Sequence, residues 1–192
     1  MAEASSAGLA IAAALLFLSP AHAEQAASGQ ESPPPEPSGF WTGPLRSAVP
    51  ATIAGGTRID ATELVSLLKQ DSAVVLDTSE APRRPPQLAP GSLWLPPPHP
   101  GIPGSIWLPG MGLAEMPGQL EARYRERLVD LTKGDKGRAV VVYCHASCWL
   151  SWNAAKRIIG YGYRKVYWFA AGVEGWTAAA QTTVPLEPPQ EH

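Results

Sequence analysis

The chain has 192 residues, 45% hydrophobic and only 17% charged, with 21 prolines, 7 tryptophans and 2 cysteines. That length suits one domain with appendages. A formal net charge of −2 and the lack of any basic run argue against nucleic acid or an anionic membrane surface as a partner.

Residues 8–20, GLAIAAALLFLSP, form an unbroken apolar run, and Ala-His-Ala follows at 21–23. This is the pattern of a secretory signal peptide over 1–23, cleaved before Glu24, although the first six residues carry no Lys or Arg. The run is short for a bilayer span, so no stable membrane anchor is expected after cleavage. Export to the periplasm would place both cysteines where thiols are oxidised unless something reduces them.

Residues 24–50 read as a Pro-rich disordered tether, with Phe40 and Trp41 as the first aromatics fit for a core or a docking contact. The folded domain is expected over 51–183. Asp60 and Glu63 form a capping box ahead of a stripe of Leu64, Leu67 and Leu68. Residues 72–80 read as a buried strand ending near Asp77. Nine prolines in 81–103 exclude a central strand or helix interior there. Residues 104–110 read as a short strand, and 119–132 as a helix with Leu120, Tyr124, Leu128 and Leu131 on one face. The strongest strand is 137–144. A helix over 149–162 follows, then a strand from Arg164 into a Gly turn, a short helix from Gly175, and a tail at 184–192. Strands alternating with helices predict an α/β fold, a parallel sheet covered on both faces.

In such sheets ligands bind at the carboxyl ends of strands, beside helix N-termini. Cys144 ends the strongest strand. The turn through His145, Ala146, Ser147 and Trp149 is expected to aim backbone N–H groups at its sulfur and make it a nucleophilic thiolate. Cys148 has three readings: a thiol that resolves whatever forms on Cys144, a disulfide partner closing a small loop, or a packing residue. A metal clip is disfavoured, because Cys144, His145 and Cys148 offer three ligands at most. His145 either exchanges protons with sulfur or faces solvent. Trp149 and Trp152 share a helix face. They either pack the helix on the sheet or, with Trp94 and Trp107, wall a substrate or partner site. Asp77 reads as an acceptor for nearby backbone N–H groups and His99 as a surface residue. Arg83 and Arg84 would bring positive charge if the Pro-rich loop folded over the cysteine.

Several stretches resemble the rhodanese-like family in order and spacing over about 57–180. These are AVVLDTSE with Asp77, IPGS at Ile102 to Ser105, VVVYC with Cys144, Gly162-Tyr163 with Val166, and Ala171-Gly172 with Trp176. The resemblance implies a five-stranded parallel sheet with helices on both faces and Cys144 as the active cysteine. Pro100-Gly101 stand in place of the family's histidine. The usual C-R-x-G-x-R loop is absent, with His145, Ser147 and Trp149 at those positions, so thiosulfate would lack a fixed cation. The stretch CWLSWNAAKR is similar to the subfamily named for a CxxCW motif and associated with pyrroloquinoline-quinone-dependent catabolism. Here the spacing is C-x-x-x-C-W. That likeness implies an exported thiol protein serving PQQ-dependent alcohol oxidation, with Cys144 taking sulfur or forming a mixed disulfide and Cys148 resolving it. Its partners would be a small sulfur donor or thiol, and a PQQ-dependent dehydrogenase or its cytochrome. No cofactor site, the quinone's included, is read in this chain. A non-catalytic docking module for the same dehydrogenase system is the alternative.

Overall fold

The computed structural model describes residues 1 and 32–187. Apart from Met1, the expected signal peptide lies outside the described residues, as do positions 24–31 of the tether and 188–192 of the tail. In chain order the elements are β1 (Thr57–Arg58), α1 (Ala61–Lys69), β2 (Ala73–Asp77), β3 (His99–Gly101), β4 (Ile106–Trp107), α2 (Gly118–Thr132), β5 (Ala139–Tyr143), α3 (Trp149–Gly160), β6 (Val166–Phe169), α4 (Gly172–Ala178) and β7 (Val184–Leu186). Five strands form one parallel sheet in the order β1-β6-β5-β2-β4. β3 and β7 pair separately as an antiparallel ribbon.

Strand side chains alternate between two faces. Val74, Leu76, Val140, Val142, Val166 and Trp168 meet α2 and α3 on one side. Val75, Val141, Tyr143 and Phe169 meet Leu64 of α1 and Trp176 of α4 on the other. β5 is central, so both its faces are covered and all five of its residues are buried. This is why it reads as a continuous apolar run rather than an alternating one. The expected capping box closes α1: the Glu63 amide donates to Asp60 Oδ1 and the Asp60 amide to Glu63 Oε2, both at 2.9 Å.

Several expectations shift. The strand expected over 104–110 contracts to Ile106–Trp107, and the helix expected from Gly175 begins at Gly172. The tail begins as structure, because Val184–Leu186 pairs with His99–Gly101. Prolines 100 and 185 face each other in that ribbon, which stands apart from the main sheet, as strand prolines must. A side chain at Gly101 is excluded for a steric reason. A Cβ there would collide with Leu186 and lie 2.8 Å from the Tyr143 hydroxyl.

The tether reading fails for the residues nearest the domain. Glu36 accepts hydrogen bonds from Thr52 and from the Ala54 amide. Trp41 stacks on Trp149 at 4.2 Å between ring centroids, and its backbone N–H and C=O bond the Asn153 side chain. Proline content gave the wrong answer because the segment docks on α3 without forming helix or strand. Tryptophan N–H groups explain part of that docking. Trp149 Nε1 donates to Ser47 Oγ and Trp152 Nε1 to the Thr52 carbonyl, so the buried indoles find acceptors on the same segment.

A candidate active site at the carboxyl end of β5

The chain leaves β5 at Tyr143, turns through 144–148 and enters α3 at Trp149. Ser147 occupies the left-handed region at φ 51°, a conformation that glycine adopts most easily. Two parts of the chain hold the turn. From α4, the Val173 amide donates to the Cys144 carbonyl at 3.0 Å. Glu174 accepts from the Ala146 amide at 2.8 Å and pairs with His145 Nδ1 at 2.7 Å. From the N-terminal segment, the Ser47 amide donates to the Ser147 carbonyl, and the Leu45 carbonyl takes the first N–H of α3, from Trp149. The approach of α4 depends on Gly172, at φ 60°. A Cβ there would collide with the His145 carbonyl carbon and lie 2.6 Å from the Ala146 nitrogen and 2.7 Å from the Cys144 oxygen.

The two sulfurs live in different surroundings. Cys144 is 0% exposed. Within hydrogen-bonding reach of its sulfur lie the Cys148 carbonyl at 3.5 Å, the His145 carbonyl at 3.7 Å and the Ser151 hydroxyl at 3.1 Å. The Ser151 oxygen already accepts Trp168 Nε1–H at 3.0 Å and can give its own proton to the Cys148 carbonyl at 3.3 Å. Carbonyl oxygens only accept, so they favour S–H over a thiolate. The groups around Cys144 are thus mostly acceptors rather than the expected cup of main-chain amides, and only Ser151, through its hydroxyl and its amide, favours the anion. Burial first, and then the neighbouring Cys148 sulfur, push this thiol well above its ordinary value, with Ser151 acting weakly the other way.

Cys148 is the N-cap residue of α3, and no side-chain capping hydrogen bond closes that helix. A negative charge there would face the positive end of the helix. The Cys144 thiol donating toward it is the largest influence and outweighs burial. The Leu150 and His145 amides and the Arg46 guanidinium add to it, and the Cys148 thiol falls to about 6 from an ordinary 9.0. Cys148 also reaches a cleft of about 260 Å³, lined with Leu45, Arg46, Glu80, His145 and Leu150. Cys144 does not line it. Cys148 is itself only 3% exposed, yet it is the sulfur that lines the cleft and favours the anion, with Cys144 lying behind it as a donor.

Other singled-out residues separate into those near this cleft and those away from it. His145 lines it. Burial alone would raise the Glu174 carboxyl, but the Ala146 amide and the His145 ring hold it below its usual range. Trp149 and Trp152 are fully buried and belong to the core, so neither walls a substrate site. Asp77 accepts the Ser79 amide at 2.8 Å, as expected, and also holds His99 at 2.9 Å. His99 stacks on Trp107 and is mostly buried rather than a free surface residue. Arg84 spends its guanidinium on the Leu88, Ala89 and Ser92 carbonyls of its own loop. The cation at the cleft is Arg46, from the Pro-rich segment expected to be a tether. Its backbone bridges Cys148 in antiparallel fashion. Among the described residues, no group of three or more His, Cys, Asp or Glu side chains is placed to hold a metal ion.

The model of the rhodanese-like domain family matches residues 60–179. Among solved structures, the thiosulfate sulfurtransferase of Pseudomonas aeruginosa is similar at 23% identity and a TM-score of 0.48, over 69% of this chain and 21% of that one. This chain thus spans about a fifth of that protein's length. A full-length protein from Lactobacillus plantarum is similar at 20% identity and a TM-score of 0.44, over 67% of this chain and 88% of that one. The polysulfide-sulfur transferase homodimer of Wolinella succinogenes is similar at 18% identity and a TM-score of 0.42, over 72% and 85%. No protein of curated function matches the chain in sequence. The family match takes in β2, the cysteine turn after β5 and the Gly172 clamp of α4, but not Arg46, and on that match the chain belongs to the rhodanese-like domain family.

Proposed function

We propose that this chain is a sulfur-handling thiol protein in which Cys148 meets the substrate and Cys144 resolves the product. Family membership supports sulfur transfer in general. The observation that carries the assignment of roles is the contrast between a cleft-lining Cys148 that favours the anion and a sealed Cys144 facing carbonyls.

The Cys148 thiolate attacks the outer sulfur of a donor persulfide. A bond forms between Cys148 Sγ and that sulfur, the donor's S–S bond breaks, and the donor leaves as a thiolate that takes up a proton. Cys144 then loses its proton and attacks Cys148 Sγ, and hydrosulfide departs. The two cysteines end as a disulfide, which a partner dithiol reduces. Intact mass after exposure to polysulfide tests this sequence. Cys144→Ser should retain one added sulfur on Cys148, and Cys148→Ser should retain none. Sulfur held on Cys144 in the Cys148→Ser protein would reverse the roles.

The expected leader and the CWLSWNAAKR stretch support a periplasmic location and service to PQQ-dependent alcohol oxidation. Cell fractionation tests the first. Growth on alcohols of a strain carrying Cys148→Ser tests the second: lost growth supports thiol chemistry, whereas full growth supports a docking role. The exposed side chains of Leu93 and Leu95 favour the docking reading.

A further inference from the structure

A second cleft, of about 510 Å³, adjoins the cysteine cleft, and Ala81 and Pro82 line both. Its walls are apolar and stiff: Trp94, the run Pro96 to Pro98, Trp107 and Leu186. Trp107 is held from two sides. Its Nε1 donates to the Ser79 carbonyl at 2.9 Å, and the His99 ring stacks on it at 4.0 Å. His99 is in turn fixed by Asp77. Beside this groove, Leu93 and Leu95 are 85% and 76% exposed. An apolar surface of this kind next to a reactive group marks an interaction site.

The cysteine cleft is small and mixed in charge. Arg46 and Glu80 both line it, and His145 there is paired with Glu174. One fixed cation beside carboxylates is a poor trap for an inorganic dianion. Recognition must then come from what surrounds the reacting sulfur. An extended polypeptide places alternate side chains on one face about 7 Å apart, so one residue can enter each cleft.

We propose that the apolar groove is a side-chain subsite for a polypeptide substrate. The partner's cysteine, as a disulfide or persulfide, enters the Cys148 cleft, while an aromatic or branched aliphatic residue close to it in sequence lies against Trp94, Trp107 and the proline wall. This rests on the thiolate role of Cys148 given above. With a disulfide, Cys148 attacks the partner's cysteine sulfur, the old S–S bond breaks, and the other sulfur leaves as a thiolate. Cys144 then gives up its proton and attacks Cys148. The partner leaves as a thiol, and the two electrons it gains are those lost in forming the Cys144–Cys148 disulfide.

The test uses the full, reduced chain and two short peptides. Each carries one cysteine as a mixed disulfide with thionitrobenzoate, and Trp or Gly stands two residues away. Release of thionitrobenzoate is followed by absorbance, with the thionitrobenzoate mixed disulfide of glutathione as a small substrate. The Trp peptide should react about fivefold faster than the Gly peptide, the scale of one aromatic contact. Trp94→Ala should erase that preference while leaving the rates of the Gly peptide and the glutathione mixed disulfide unchanged. Equal rates for the two peptides, or a preference that survives Trp94→Ala, would overturn the subsite. So would a Trp-peptide rate that falls with protein concentration as a dimer forms, because the groove would then belong to a second copy. If none of the three substrates reacts at Cys148, the thiolate role itself fails.

Discussion

Cys144 and Cys148 lie four residues apart, and the fold treats them oppositely. Cys144 follows directly on the central strand, where burial on both faces leaves its sulfur among carbonyls and the Ser151 hydroxyl. Cys148 occupies the N-cap position of a helix beside a cleft, with Arg46 close enough to favour its anion. Family position points to the first cysteine, whereas local electrostatics point to the second. A motif position therefore says where the chemistry sits, and the surrounding donors and acceptors say which atom carries the charge.

The sharpest way to break the contrast is selective alkylation with iodoacetamide. Cys148 should be labelled at least about two orders of magnitude faster, because Cys144 must wait for local opening. Comparable rates would erase the distinction. Next in size is Gly172→Ala. Its Cβ strikes the backbone of the turn that carries both cysteines, and φ 60° suits glycine, so a loss of about 1–3 kcal/mol is expected in urea unfolding. The labelling ratio should shrink with it. An unchanged stability would show that α4 does not clamp the turn.

The pH dependence is subtler. Cys148 labelling should rise with pH through about 6 and then level off. Its folded value lies below the ordinary 9.0, so the stabilisation it contributes is complete above the unfolded value and is lost as pH falls through the folded one. The stability gap between the wild type and Cys148→Ser should therefore close on acidification. Cys144→Ala removes the largest favourable influence and should move the labelling midpoint upward. Arg46→Ala should move it the same way by less, and added salt should reproduce part of that change.

Much of the fold was legible because its signals are local and periodic. The Asp60–Glu63 capping box, the apolar run of β5 and the stop at Gly160–Gly162 all stand where the pattern put them. The cysteine turn was equally visible. The direction in which its amides and carbonyls point was not, because that depends on contacts distant in sequence. Val173 and Glu174 pull from one side, and Leu45 and Ser47 from the other. Arg46 was missed for the same reason. Surrounded by Pro44, Ala48 and Pro50, it has no periodic partner, and only the docking of its segment on α3 brings it to the cleft. The one hint was the surplus of tryptophans, whose indole N–H groups needed acceptors from somewhere.

The stacking of Trp41 on Trp149 has a practical side. Trimming this protein to the span shared with its family, residues 60–179, would cut away the flap that shields the start of α3 and supplies the guanidinium of the pocket. The shortened piece would bare an indole face, turn sticky, and report a thiol acidity that is not the intact protein's.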